Sequence, residues 1–107
     1  MNRNTTKLFP KRAKINGLNI KTDNFGIKSK TRDDVSIIIF NDLANVSYVL
    51  TKSTTCAPNI TWLKKVRKFG KVKALFVNSG NANAYTGNKG YENVKKIVKL
   101  LCLKLGC

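Results

Sequence analysis

The residues best suited to chemistry lie in one short segment that is rich in Asn, Gly and Ala. It reads Asn-Ser-Gly-Asn-Ala-Asn-Ala-Tyr-Thr-Gly over 78–87, and Gly90 follows. Gly80, Gly87 and Gly90 permit positive φ angles, which Asn also tolerates better than most residues. The segment lies between a strand-like run and a helical pattern. A loop of this kind can place backbone N–H groups at a helix start, where a carboxylate or an oxyanion is stabilised.

Two phosphate-binding patterns do not fit this segment. The Walker pattern needs Gly-Lys followed by Ser or Thr, whereas Lys89 is followed by Gly90. The dinucleotide-binding pattern needs Gly-x-Gly-x-x-Gly, and the three glycines are not spaced in that way. On physical grounds alone, the simpler alternative is a sharp strand-to-helix connection whose Asn side chains bond to their own backbone.

The same segment resembles a family signature. Asn-Ser-Gly-Asn-Ala-Asn-Ala-x-Thr-Gly-x-x-Gly, read over 78–90, is similar to the signature of the ornithine acetyltransferase / N-acetylglutamate synthase family of arginine biosynthesis. Three further pieces resemble that family in the same order: 26–28 with 34–39, 49–51 with 57–58, and 73–77. The resemblance covers about 25–105, and four ordered pieces argue against chance agreement.

The resemblance implies acetyl transfer from N-acetylornithine to glutamate through an acetyl-threonine intermediate. Some members of the family also accept acetyl-CoA, and no other cofactor and no metal is implied. The nucleophile of the family is an internal threonine exposed by self-cleavage of a longer precursor, and a downstream Ser-Thr-Gly segment supplies its oxyanion hole. Neither stretch occurs in this sequence, and Thr86-Gly87 belongs to the signature instead. We therefore expect no catalytic residue in this chain.

The signature residues are expected to build the loop beneath the active site rather than to catalyse. They are Asn78, Ser79, Gly80, Asn81, Ala82, Asn83, Ala84, Thr86, Gly87 and Gly90. Since the sequence stops at Cys107, before the family's catalytic segments, we expect an N-terminal fragment that is inactive alone. A truncated gene, a decayed copy and one part of a split enzyme all remain open. In the last case, the missing C-terminal half is a separate partner chain.

The charge favours an alternative of another class, a small basic nucleic-acid-binding module. The chain has 21 Lys and Arg against 5 Asp and Glu, for a net charge of +16. Trp62 and Phe69, beside Arg67, are candidates for base stacking. However, most of the basic residues are scattered lysines, whereas bidentate recognition of phosphate and guanine favours Arg. We therefore expect nucleic acid to bind only nonspecifically.

Cysteine and histidine usage excludes several site classes. The sequence has three cysteines without Cys-x-x-Cys spacing and no histidine, so the usual four-ligand zinc site cannot be assembled without carboxylates. Ser-His-Asp and Cys-His catalysis both require the missing histidine. No apolar run is long enough for a transmembrane helix, and residues 1–14 lack a secretory signal. The sequence therefore predicts a cytoplasmic protein without a metal site.

The pattern predicts an α/β fold, a small layered β-β-α-β-α unit that forms the N-terminal part of a larger ornithine acetyltransferase-like fold. We expect an irregular basic lead-in over 1–24 and the family domain over 25–107. Apolar runs predict strands over 35–40, 46–51 and 72–77. Asn41, Asp42 and Asn45 supply turn chemistry between the first two strands, which are expected to pair as a hairpin.

Two helices complete the prediction. Asn59 is expected to cap a short helix over 60–68, which Trp62 packs onto the sheet. The second helix is predicted over 91–105, with Glu92 paired to Lys96 and Gly106 as its C-terminal residue. Its apolar stripe consists of Tyr91, Val94, Val98, Leu101 and Leu105, and Ile97 fills the stripe.

Overall fold

The computed structural model describes residues 14–27, 29–80 and 86–107. Its elements are β1 (Leu18–Asp23), β2 (Val35–Asn45), α1 (Pro58–Val66), a single 3₁₀ turn (Arg67–Phe69), β3 (Lys71–Asn78) and α2 (Gly87–Leu105). Strands and helices therefore follow one another in the predicted order β-β-α-β-α, and the α/β class is confirmed.

The three strands form one antiparallel sheet in the order β1-β2-β3. Ile38 at its centre lies opposite Ile20 on β1 and Leu75 on β3, so these three side chains share one face of the sheet. The neighbouring residue, Ile37, lies opposite Phe76 and contributes to the other face. Because β2 is apolar on both faces, it is the kind of strand that needs covering from two sides.

The predicted hairpin between 35–40 and 46–51 is wrong. β2 continues to Asn45, and residues 46–50 have no regular structure. The Asn-Asp turn chemistry at 41–42 was expected to end the strand, but a register shift between Ile39 and Ala44 accommodates it as a bulge. The strand that pairs with β2 is β1, which lies inside the lead-in that was predicted to be irregular.

The first helix begins earlier than predicted and packs differently. α1 starts at Pro58 after Ala57 and has no side-chain cap, so the predicted Asn59 cap is wrong. Proline suits the first helical position, since its missing N–H has no partner there in any case. Among the described elements, α1 packs against α2 and neither helix packs on a strand. The expected packing of the helix that carries Trp62 onto the sheet is therefore not observed.

The second helix follows the predicted stripe but not the predicted ion pair. Tyr91, Val94, Val98, Leu101 and Leu105 are all half-buried along one side of α2. The helix ends at Gly106, which has a φ of 69° as predicted for a left-handed C-terminal residue.

Glu92 pairs with Lys95 rather than Lys96, at 2.7 Å between Oε1 and Nζ. The predicted i,i+4 pair is therefore replaced by an i,i+3 pair on the same exposed helix surface.

The described part of the chain lacks a hydrophobic core of its own. Apart from Pro58, none of its apolar side chains is buried, and the buried polar residue is Asp34. Ile20 and Leu75 on one sheet face remain 46% and 50% exposed. Apolar surface of the sheet that a larger fold would cover is thus exposed to solvent. Within the same residues, no helix combines the length and the hydropathy that a bilayer crossing requires.

Candidate functional site

The first three signature residues lie where β3 ends. Asn78 is the last residue of β3 and lies opposite Val35 on β2. The Ser79 N–H donates to the carbonyl oxygen of Asp34 at 2.8 Å, and Gly80 has a φ of 90°. The positive φ predicted at Gly80 is therefore confirmed. Asn81, Ala82, Asn83 and Ala84 lie outside the described residues.

The last three signature residues start α2. Thr86 immediately precedes the helix, and Gly87 has a φ of 57° as predicted. The Gly90 N–H donates to the carbonyl oxygen of Thr86 at 3.2 Å. Gly90 is buried in the first helical turn and does not adopt the positive φ that glycine permits. Both ends of the signature segment therefore have a defined place, at a strand end and at a helix start.

Asp34 holds the strand end in position. This side chain is only 4% exposed, and its two carboxylate oxygens accept hydrogen bonds from the Phe25 N–H at 2.7 Å and the Ile27 N–H at 2.5 Å. Its own N–H donates to the carbonyl oxygen of Asp23 at 3.1 Å. Because its carbonyl oxygen also accepts from Ser79, Asp34 joins the loop after β1 to the first residue after β3.

The loop between β1 and β2 is braced by a second polar side chain. The Asn24 side-chain amide donates to the carbonyl oxygens of Ser29 at 2.9 Å and Arg32 at 2.7 Å. Its side-chain oxygen accepts from the Gly26 N–H at 2.7 Å. These bonds fold the loop back on itself, which presents the Phe25 and Ile27 N–H groups to the Asp34 carboxylate.

A small cavity of about 140 Å³ lies beside this junction. Signature residues Asn78 and Ser79 line it together with Asp34 and Ser36. Val35 and Val77 also line it, and most of its accessible wall is apolar, so the start of the signature loop borders a shallow, mainly apolar recess at the edge of the sheet.

A larger open groove of about 540 Å³ lies between the starts of the two helices. Thr86 and Gly87 line it from the signature side, and Thr61 and Lys65 line it from α1. The Lys65 ammonium lies 4.7 Å from the centroid of the Tyr91 ring, which also borders the groove. Hydroxyl groups and an ammonium at a helix start favour a negatively charged group over a cation there.

The Cys102 thiol, near the C-terminal end of α2, is not an activated nucleophile. Burial raises the pKa of the Cys102 thiol, and its hydrogen bond with Cys107 raises that pKa further. A raised pKa leaves less thiolate at neutral pH, and thiolate is the reactive form. In the part of the chain that the structure describes, no three metal-ligating side chains are grouped together. The arrangement is thus suited to positioning and binding.

Sequence reasoning missed the contributions of Asp34, Thr61 and Lys65. One signal for Asp34 was present in the sequence, because its carboxylate directly precedes an apolar strand. A carboxylate at such a position is buried only when it is hydrogen-bonded, so hydrogen-bond donors near it could have been expected. In the sequence, Lys65 is one of many lysines and has no distinguishing pattern around it. Its position beside Tyr91 depends on how α1 packs on α2, which no local pattern states.

Comparison with curated proteins shows which sequences this chain is similar to. Arginine biosynthesis bifunctional protein ArgJ of Zymomonas mobilis is 36% identical over 98 residues, which is 92% of this chain and 24% of that protein. The ArgJ proteins of Bradyrhizobium diazoefficiens and Mesorhizobium japonicum are 36% and 37% identical over 101 residues, or 94% of this chain and 24% of each. The chain thus spans about a quarter of the length of these relatives.

Solved structures show the same relationship. Ornithine acetyltransferase from Mycobacterium tuberculosis, solved in complex with ornithine, superposes with a TM-score of 0.65 at 25% identity, over 73% of this chain and 41% of that chain. Arginine biosynthesis bifunctional protein ArgJ from Bacillus halodurans gives a TM-score of 0.66 at 29% identity over the same shares. The ArgJ family profile matches residues 19–107. The chain therefore belongs to the ArgJ family.

Proposed function

We propose that this chain is the N-terminal part of a glutamate N-acetyltransferase of arginine biosynthesis, which transfers an acetyl group from N-acetylornithine to glutamate. The observation that carries the proposal is the family match over 19–107, which includes the whole signature segment between β3 and α2. Acetyl-CoA is a possible alternative acetyl donor. Since these substrates are small and water-soluble, we place the reaction in the cytoplasm.

In this proposal, the chain contributes scaffold rather than chemistry. Asp34 and the end of β3 fix the entry to the signature loop, and the first turn of α2 fixes its exit. The backbone groups at these two described ends are proposed to be held in place before a substrate binds. The nucleophilic threonine and the oxyanion-hole donors of the family have no counterpart in this sequence.

The chain is therefore proposed to need the remainder of the fold for activity. Apart from Pro58, its described residues bury no apolar side chain, and both faces of β2 are apolar. The missing part is proposed to cover these surfaces and to supply the nucleophile, either in a longer polypeptide or as a separate partner chain.

The test compares the isolated chain with a chimera. In the chimera, this chain replaces the corresponding quarter of the Zymomonas mobilis ArgJ protein. Acetylglutamate formation from N-acetylornithine and glutamate is then measured for both. We expect no turnover from the isolated chain above a heat-treated control, and turnover from the chimera that scales with protein concentration.

Two matched variants of the chimera test the signature loop. Gly80 and Gly70 both have positive φ angles, of 90° and 64°, but only Gly80 belongs to the signature. A β-branched residue is strained at either position. Gly80→Val should lower kcat/KM at least about tenfold more than Gly70→Val, because misplacement near a site costs rate as well as stability. Equal losses, or turnover by the isolated chain, would refute the proposed role.

A further inference from the structure

Two of the three cysteines lie together at the C-terminal end of α2. Cys102 is in the last turn of the helix, and Cys107 is the second residue after the helix. The N–H groups of Gly106 and Cys107 both donate to the carbonyl oxygen of Cys102, with a distance of 3.0 Å from the Cys107 nitrogen. The chain therefore folds back over the end of α2 and brings the two cysteines side by side.

The backbone geometry suits a disulfide bond between these two residues. A disulfide joins residues whose Cα atoms lie about 4.4–6.8 Å apart. Given ordinary bond lengths, the N–H···O bond of 3.0 Å between Cys107 and Cys102 keeps their Cα atoms within about 7 Å of each other. Side chains at these two positions of a helix end commonly contact one another, and here the two thiols share a hydrogen bond. The pair is thus held in place by the backbone of the helix end.

The two thiols differ in their access to solvent. Cys107 is exposed, whereas Cys102 is half-buried, and burial raises the pKa of the Cys102 thiol. Thiolate is the attacking form of cysteine, so a small oxidant in solvent reacts first with Cys107. Cys102 is then the neighbouring thiol that completes the bond.

We propose that Cys102 and Cys107 form a reversible disulfide bond, which locks the last turn of α2 when a small-molecule disulfide is abundant. The Cys107 thiolate attacks one sulfur of the small disulfide, which gives a mixed disulfide and releases one small thiol. The Cys102 thiolate then attacks the Cys107 sulfur, forms the protein disulfide and releases the second small thiol. The two cysteines lose two electrons, the small disulfide gains them, and both thiol protons leave with the small thiols.

Such a pair responds to a change in the thiol pool. Thiols in the cytoplasm are normally kept reduced, so the pair is open at rest and closes when the oxidised fraction of the pool rises. The closed ring holds a helix end that otherwise opens readily, because helix ends are the least protected part of a helix. This proposal goes beyond the acetyltransferase role and does not depend on it.

Peptide mapping tests the pairing. The full chain is equilibrated with mixtures of oxidised and reduced glutathione, quenched with acid, alkylated and digested with trypsin. Trypsin cuts after Lys99 and Lys104, so Cys102 and Cys107 fall on separate peptides, 100–104 and 105–107. We expect mass spectrometry to find these two peptides joined by a disulfide that reduction removes. Cys56, in the loop before α1, should be joined to neither peptide.

Matched glycine variants test whether the helix end sets the pairing. Gly106 and Gly70 both have positive φ angles, of 69° and 64°, and a Cβ built on either would meet nothing within 4 Å. Gly106→Ala should lower the effective concentration of the two thiols at least about fivefold, because backbone strain opens the turn that joins them. The glutathione ratio at half oxidation measures this quantity. Gly70→Ala and Cys56→Ser should both leave it unchanged.

Hydrogen exchange measures the effect of the bond on the helix. Oxidation should raise amide protection across 101–107 at least about fivefold and leave protection within α1 unchanged. A mixed disulfide that persists at Cys107 while Cys102 stays free would overturn the proposal, because the two thiols would then not meet. A disulfide to Cys56, disulfide-linked dimers as the main product at low protein concentration, or equal effects of the two glycine variants would overturn it as well.

Discussion

Asp34 shows how one buried carboxylate organises a region that has no buried apolar side chain. Burying a charge is costly unless hydrogen bonds replace its water, and here the Phe25 and Ile27 N–H groups do so. The same residue uses its backbone carbonyl to hold Ser79, the second residue of the signature segment. One residue thereby couples the loop after β1 to the entry of the candidate site.

Replacing Asp34 with Ala should loosen this junction. Hydrogen bonds to a charged acceptor contribute about 1.5–3 kcal/mol, so protection of the Phe25 and Ile27 amides from hydrogen exchange should fall about tenfold to a hundredfold. Amide exchange followed by NMR measures this directly. The control is Asp33→Ala, which removes an exposed carboxylate bonded to the Thr22 hydroxyl. Equal loss of protection in both variants would contradict the role given to Asp34.

At the scale of elements, α2 is the best-defined part of the chain. Its C-terminal residue Gly106 has a φ of 69°, and the Cys107 N–H donates to the carbonyl oxygen of Cys102 at 3.0 Å. A bond of this kind satisfies one of the carbonyl groups that a helix end leaves without a partner. The glycine is required by its backbone angle alone, since a Cβ built on it would meet nothing within 4 Å.

Gly106→Ala should therefore destabilise the last turn of α2 through backbone strain. A non-glycine residue in the left-handed region costs roughly 1–2 kcal/mol, which lowers amide protection in that turn about fivefold to thirtyfold. Hydrogen exchange across 101–107 measures the effect. Lys99→Ala, at an exposed position inside the helix, should leave protection of the last turn unchanged. Full protection in Gly106→Ala would show that the last turn does not depend on this backbone geometry.

At the scale of the whole molecule, a net charge of +16 accompanies apolar surfaces that the chain does not cover. The two features favour different partners, because charge attracts any polyanion whereas apolar surface needs a complementary shape. Phe69 is 68% exposed with the Lys68 ammonium 5.4 Å from its ring centroid, which resembles a stacking platform. Trp62 is half-buried, so it offers less surface for stacking.

Nucleic-acid binding is expected to be electrostatic and independent of sequence. Scattered lysines release counterions without reading bases, so affinity should fall at least about tenfold between about 50 and 200 mM salt. Anisotropy titrations with two unrelated duplexes over this salt range measure both properties. Discrimination between duplexes of about a thousandfold, lost on Phe69→Ala or Trp62→Ala, would instead identify a dedicated binding module.

The sequence by itself determined the elements whose signals are local. The last strand, the stripe of α2 and its terminal Gly106 follow from side-chain periodicity and backbone preference, which neighbouring residues set. The signature segment also predicted a strand before it and a helix after it. β3 ends at Asn78, one residue beyond the predicted 77, and α2 starts at Gly87, four residues before the predicted 91. These features need no knowledge of distant partners.

Only the tertiary structure decided which strand pairs with β2 and which surfaces the helices bury. Turn chemistry at 41–42 favoured a hairpin, but pairing with β1 and a bulge allowed β2 to continue through it. The burial of Asp34 needs N–H donors from 25 and 27, and Lys65 reaches Tyr91 only because α1 packs on α2. Such contacts join residues that are not neighbours in sequence, so they produce no periodic pattern from which they could be predicted.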